Sequence, residues 1–277
     1  MATRDSIFGR IFSFLVPERR KKSAAYEDRT TVRVYPRTNE DRTLEVRYTR
    51  TRQTSANKQE LLDNKVIAWD KSHPVNGRME ILRTQIVRKM EANGWRTLAV
   101  ISPTPGAGKS FVATNLAISL AQNPNKSVML VDLDLRRPQI AAKLGLPAGQ
   151  SLLDYLSGAA QLSDVLVNPG VPRLVVAPVF DSIANSSELL SSRQVVKMIQ
   201  EMRERYESRI VIFDLPPLLL ADDALVVLPH VDCALLVLGD GEHSAAEIED
   251  SLRLLHDVNL VGMVVNRSRA FEKVEGY

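Results

Sequence analysis

The stretch Leu98-Ala-Val-Ile-Ser-Pro-Thr-Pro-Gly-Ala-Gly-Lys109-Ser110 constrains the fold more than any other part of the chain. Leu98–Ile101 is an apolar run of strand length, a Pro/Gly turn follows, and Lys-Ser opens an apolar-periodic segment through Ala121 that reads as a helix. Strand, glycine loop and helix in that order make a G-K-S match a phosphate-binding loop. Gly106 and Gly108 carry no Cβ and take positive φ readily, so successive backbone N–H groups can turn inward on an anion. The helix N-terminus adds unpaired N–H groups and the positive end of its dipole. Lys109 is then placed to reach the β/γ-phosphates of a nucleotide, and the Ser110 hydroxyl to ligate Mg²⁺. Thr104, Pro105, Ala107 and Phe111 complete the candidate nucleotide-binding loop and its helical exit. Pro103 stands where the common G-x-x-x-x-G-K-[ST] pattern has its first glycine, which marks a variant loop.

With 277 residues, 44% of them hydrophobic, the chain can hold one sizeable domain plus appendages. Its formal charge of +3 is unevenly spread. Residues 1–60 carry 14 Lys/Arg against 8 Asp/Glu, a net +6, whereas the remainder is net −3. The basicity belongs to the tail, so nucleic acid is not expected as a partner. The single cysteine, Cys233, excludes an intrachain disulfide, fits a reducing compartment, and sits in an apolar run as a structural thiol would. His73, His230, His243 and His256 show no metal-ligand spacing. No run approaches the ~20 apolar residues that span a bilayer, and the stretch Ile7–Val16 is too short and too broken by Arg10 for a signal peptide.

Two parts are expected. Residues 1–60 read as a basic, largely disordered tail, since between Lys21 and Lys58 there are hardly any large aliphatics to offset the entropy of ordering. Within it Ile7, Phe8, Ile11, Phe12 and Leu15 share one face of a short amphipathic helix near 6–16. That helix could lie on an anionic membrane surface, in a partner's groove, or on its own domain. Residues 61–277 read as the globular part. Strands are expected at 97–102, 127–132, 173–179, 209–214, 232–238 and 260–265, and helices at 77–90, 109–122, 151–157, 187–206, 220–228 and 243–257. Apolar strands alternating with helices predict an α/β, doubly wound, mostly parallel sheet covered on both faces.

Two acidic motifs follow the glycine loop. Ser127-Val-Met-Leu-Val-Asp132-Leu-Asp134-Leu-Arg136 delivers Asp132 at a strand's C-terminal end, where open α/β sheets bind ligands, and Asp134 two residues on. Two carboxylates beside a triphosphate suit metal coordination and acceptance of a proton from an attacking hydroxyl. Ile210-Val-Ile-Phe-Asp214 is a Walker B pattern, whose carboxylate holds Mg²⁺ directly or through water. Asn266 and Arg267 end the last strand, where an Asn can either bind the adenine edge or form a turn.

Together S-P-T-P-G-A-G-K-S, M-L-V-D-L-D-L-R-R-P and I-V-I-F-D-L-P-P resemble the bacterial tyrosine kinases (BY-kinases) of capsule and exopolysaccharide export. The resemblance covers roughly residues 74–268. It implies a MinD-like P-loop NTPase fold and ATP-Mg²⁺ binding by Lys109, Ser110 and Asp214. It further implies that Asp132 and Asp134, with Asp132 also near the metal, assist phosphoryl transfer to tyrosine. The Min/Par ATPases are similar in fold, but carry a signature lysine where this chain has Thr104. A third reading is a nucleotide-binding regulatory subunit of a polysaccharide assembly without kinase activity. The family's self-association helix reads E-x-x-R-x-x-R, against Gly77, Glu80 and Arg83 here, which leaves homo-oligomerisation open. Lacking an apolar span, the chain resembles the members activated by a separate membrane chain-length determinant. It is expected in the cytoplasm, peripheral to the membrane. Tyr26, Tyr35, Tyr48 and Tyr277 are the candidate phosphoacceptors, the tail standing in for the family's C-terminal tyrosine cluster.

Overall fold

The computed structural model describes residues 51–55, 57–205 and 208–268. Tyr26, Tyr35, Tyr48, Tyr277 and the amphipathic stretch at 6–16 lie outside them, as does Tyr206. Each of the six apolar runs forms a strand. In chain order the strands are β1 (Arg52–Gln53), β2 (Thr97–Ile101), β3 (Ser127–Asp132), β4 (Val167–Asn168), β5 (Leu174–Ala177), β6 (Arg209–Asp214), β7 (Cys233–Gly239) and β8 (Leu260–Asn266). They make one sheet in the order β1-β4-β5-β3-β6-β2-β7-β8. Among the described residues every strand pairing is parallel except that of β4 with β5.

Alternation along each strand sorts side chains to the two faces. Leu98, Val100, Leu130, Ile212 and Leu235 pack on one side, and Ala99, Ile101, Met129, Phe213 and Leu236 on the other. With both faces buried, the central strands β2 and β3 are buried at every position. The helices are α1 (Lys58–Asp63), α2 (Asn76–Asn93), α3 (Lys109–Ala121), α4 (Ile140–Lys143), α5 (Leu152–Leu156), α6 (Leu162–Val165), α7 (Ser186–Leu190), α8 (Arg193–Glu204), α9 (Asp223–Val227) and α10 (Ala245–Leu254). Helix α3 is buried along its whole length apart from Phe111, as an all-round apolar sequence requires. It lies beneath α2, whose Arg83 guanidinium donates to the Ser119 carbonyl at 3.1 Å. Gly94, in the left-handed conformation at φ 68°, terminates α2 with its N–H on Met90 and Glu91 carbonyls.

Three differences from the sequence reading have local causes. The single helix expected at 187–206 is two, because Ser192 turns the chain and caps α8 by accepting from the Val195 N–H at 3.4 Å. The helix expected at 220–228 is confined to α9 and a 3₁₀ turn at Leu228–His230 that contains Pro229. Among the described residues the sheet also begins at Arg52, upstream of the boundary expected at residue 60. Polar bonds hold this strand: Arg52 donates to the Pro147 and Ala148 carbonyls at 3.1 and 3.2 Å, and the Thr54 N–H to Asn168 at 2.9 Å. Composition counts apolar residues and misses such anchoring.

Cys233 is fully buried on β7, and burial pushes its thiol up to about 12. The thiolate is the reactive form, so the folded protein is expected to resist alkylation by iodoacetamide at pH 8 and the unfolded protein to react at once. Rapid alkylation of the folded protein, read by intact mass, would contradict this placement.

Candidate active site

The strand order brings the three motifs together. β3, β6 and β2 are neighbours in parallel, so their C-terminal ends share one edge although they lie far apart in sequence. Asp132 is in register with Asp214, and Asp214 with Val100, which leads into the glycine loop. The chain runs from β2 to β3 on one side, and β7 lies on the other side of β2. This is the switch point where open α/β sheets bind ligands.

A cleft of about 380 Å³ opens there. Pro105, Gly106, Gly108, Lys109, Ser110 and Phe111 of the loop line it, with Asp134, Asn266 and Arg267. Gly106 and Gly108 have φ of 95° and 90°. Ser102 stiffens the turn by donating its hydroxyl to the Thr104 carbonyl at 2.9 Å. The buried Ala107 turns its carbonyl to Asn266, whose Nδ2 donates to it at 2.9 Å. Asn266 thus braces the loop. A Cβ on Gly108 would stand 2.2 Å from that same Nδ2, on a backbone that L-residues rarely adopt. Gly108→Ala is therefore expected to cost about 1–3 kcal/mol in loop geometry and to weaken nucleotide binding in a fluorescence titration, with the fold retained. Unchanged affinity would show that the loop tolerates a different path.

The acidic residues divide their work. Asp134 lines the cleft and bonds the Lys109 ammonium through Oδ2. Asp132 is fully buried and does not line the cleft. Its Oδ2 accepts from the Gln139 and Ile140 N–H groups, both at 3.0 Å, and its Oδ1 from Asp134 N–H at 3.2 Å. Asp132 therefore folds the segment 134–140 around itself and aims Asp134. Arg136, third residue of the D-x-D-x-R motif, fixes the same segment from outside. Its Nε and Nη2 bond the buried Asp223 carboxylate at 3.0–3.1 Å, and Ser186 at the start of α7 bonds that carboxylate too. No role for Asp223 was legible from its motif, since an acidic residue at the start of a helix resembles a cap.

Asp214 is buried with no hydrogen-bond donor to either carboxylate oxygen. Lys109 Nζ stands 3.8 Å away. Burial raises its pKa, while the Lys109 ammonium and, more weakly, the Ser110 hydroxyl pull it back. Asp132 is raised well above the usual carboxylate range, by burial first and by the Asp214 charge second. Burial opposes the charge on Lys109, yet Asp214 and Asp134 together hold its pKa above the ordinary lysine value. A buried carboxylate whose only counter-charge is an ammonium 3.8 Å away, shared with Asp134, is incompletely compensated until a further cation joins it. Asp214, with the Ser110 hydroxyl of the adjacent loop, thus fits a hard divalent cation such as Mg²⁺, which takes one or two protein oxygens and fills its shell from phosphate and water. Lys65 and Lys143 also line the cleft, and no motif pointed to them.

Residues 98–275 match the model of the CobQ/CobB/MinD/ParA nucleotide binding domain, and the chain belongs to that family of P-loop proteins. Within it, the tyrosine-protein kinase Ptk of Acinetobacter johnsonii is 32% identical over 187 residues, 67% of this chain and 25% of that protein. The chain thus spans about a quarter of the length of the curated relatives it matches. The kinase domain of the Escherichia coli tyrosine kinase Etk matches at a TM-score of 0.67 and 29% identity, covering 76% of this chain and 84% of that one. MinD of Pyrococcus horikoshii, complexed with Mg-ADP, matches at 21% identity and a TM-score of 0.54 over 63% of this chain and 72% of that one, which shows a common fold. The resemblance to the bacterial tyrosine kinases and the doubly wound P-loop fold expected from the sequence are both borne out. Among the described residues no helix is long and apolar enough to cross a membrane.

Proposed function

We propose that this chain is an ATP- and Mg²⁺-dependent protein-tyrosine kinase that phosphorylates copies of itself and regulates export of a capsule or exopolysaccharide. The observation that carries the reading is the meeting of Lys109, Asp134 and the buried, incompletely compensated carboxylate of Asp214 at one edge of the sheet, beside a glycine loop. The kinship to Ptk and to the Etk kinase domain supplies the reaction class. The N–H groups of the loop and of the start of α3 cradle phosphate, and Lys109 exchanges its bond to Asp134 for the β/γ-phosphates. Mg²⁺, held by Asp214 and Ser110, would supply charge neutralisation on the transferring phosphoryl group. Asp134, released from Lys109, accepts the proton of the attacking phenol, while Asp132 holds the segment that aims it. Asn266 and Arg267 border the same cleft as candidate contacts for the base.

The acceptors in this reading are Tyr26, Tyr35, Tyr48 and Tyr277. Tyr155 is excluded because its ring packs against the core on α5. A membrane chain-length determinant would activate the kinase, and the basic amphipathic stretch at 6–16 would bring it to an anionic surface at the cytoplasmic face. The test is incubation with Mg²⁺ and ATP, with and without the activator's cytoplasmic segment, followed by phosphopeptide mapping. Phosphotyrosine in the N-terminal tail or at Tyr277 is the expected result. ATP binding without any phosphotyrosine under activating conditions would favour a regulatory subunit and end the kinase reading.

A further inference from the structure

The cleft holds more positive charge than the loop motif accounts for. Five basic residues line it, Lys65, Lys109, Arg137, Lys143 and Arg267, against one lining carboxylate, Asp134. Lys109 is engaged by Asp134, and the Arg267 guanidinium by Glu242. Lys65, Arg137 and Lys143 have no carboxylate partner among the described residues. Of the three, Lys65 and Arg137 are exposed and hydrated, whereas Lys143 is half-buried.

We infer that Lys143 is a second phosphate-binding lysine of this cleft, one that grips the terminal phosphate and so distinguishes a nucleoside triphosphate from a diphosphate. The inference rests on the nucleotide reading above. Lys143 is the last residue of α4, and the start of α4 is pinned by the bonds from the Gln139 and Ile140 N–H groups to Asp132. The carboxylate that aims Asp134 therefore fixes the base on which Lys143 stands. Burial lowers the pKa of Lys143, the Asp214 charge raises it, and the charges of Lys65 and Lys109 lower it further. Lys143 thus shares its surroundings with the Lys109–Asp214 pair. An ammonium half-withdrawn from water, facing two like charges and in no ion pair, gains more from an arriving phosphate than a solvated surface lysine does.

Its neighbour Lys65 is held there by design of the backbone. Lys65 takes a left-handed conformation at φ 63°, which a non-glycine residue adopts only when its surroundings enforce it. Asn115 of α3 enforces it by donating to the Lys65 carbonyl at 3.1 Å and accepting from the Ala68 N–H at 2.9 Å. Asn64 closes the other side by donating to the Ala142 carbonyl of α4 at 3.0 Å. The segment 64–68 and α4 thus form one unit that presents two ammonium groups to the cleft, with Lys65 as the outer one.

The test compares Lys143→Gln with wild type and with Lys143→Arg, in competition titrations using a non-hydrolysable ATP analogue and ADP, each with Mg²⁺. Lys143→Gln is expected to weaken the triphosphate analogue by about tenfold, the size of one charge-assisted contact, and to leave ADP affinity unchanged. Unchanged ADP binding also certifies the fold. Lys143→Arg is expected to keep most of the discrimination. Equal loss of both nucleotides, or loss of neither, would overturn the assignment. Wild-type protein that bound neither nucleotide would overturn the nucleotide reading itself.

Discussion

Lys109→Met is expected to reduce phosphoryl transfer by about 100- to 1,000-fold, the usual cost of removing one preorganised positive donor from developing phosphate charge, and also to destabilise the nucleotide-free protein. The second effect follows from the surroundings of the ammonium. Lys109 compensates Asp134 and Asp214, whose side chains are 6% and 0% exposed. Removing one partner of a buried ion pair and leaving the other costs about 3–5 kcal/mol. Chemical denaturation at pH 7.5 should show that loss. It should shrink as the pH falls, because the stranded Asp214 carboxylate, whose folded-state pKa burial raises, can then take up a proton, and such a group stabilises the fold only while protonated. A variant that unfolds like wild type at both pH values would mean that the ammonium is not the counter-charge of this pair.

Asp214→Asn should lose activity as severely, yet shift stability the other way. Asp214 is raised by burial before any other cause, and the Lys109 ammonium at 3.8 Å and the neighbouring Ser110 hydroxyl offset this only in part. In the free protein its ionised form is a liability, which the proposed reading explains by a cation that it holds. The neutral amide removes that liability, and Asp134 remains to compensate Lys109. A gain on the order of 1 kcal/mol is expected in the nucleotide-free protein, together with loss of any stabilisation by Mg²⁺ and ATP. Wild-type Asp214 has a folded pKa above its unfolded value. Its contribution to stability is therefore full below the unfolded carboxylate pKa and is lost as the pH rises through the folded one. The variant should accordingly show a weaker fall in stability between mildly acidic and neutral pH. Thermal melts of both proteins with and without Mg-ATP measure all of this. Lower stability in the metal-free variant would assign Asp214 to the scaffold.

The opposed signs separate two kinds of buried charge at one site. On the proposed reading, Lys109 serves both the fold and the reaction, whereas Asp214 costs the fold stability for the sake of a bound cation. Asp132 belongs to a third kind. Backbone donors occupy both of its oxygens, and the segment carrying Asp134 and Lys143 is organised around it.

The sequence by itself determined the layered α/β fold, because the six longer strands are largely apolar runs, as strands of a sheet covered on both faces must be, and among them only the edge strand β8 is partly open to solvent along its length. It also determined the phosphate loop, since positive φ at Gly106 and Gly108 and a helix opening on Lys109-Ser110 are local requirements written in local residues. The segments β1, β4, α1, α4 and α6 run from two to six residues, too short to show a period, and polar bonds to distant carbonyls hold β1 and join α1 to α4. Only the tertiary structure decided between Asp132 and Asp134. Two residues apart at a strand end, they look equivalent until the chain returns at residues 139 and 140 to engage one of them. Asn266 was legible as a residue at the edge of the cleft, but its bond to Ala107 depends on β8 meeting the loop across 159 positions. Lys65 and Lys143 had no signal at all. A lysine in a turn and a lysine ending a four-residue helix are ordinary surface residues until the packing of residues 64–68 against α3 and α4 turns both toward one cleft.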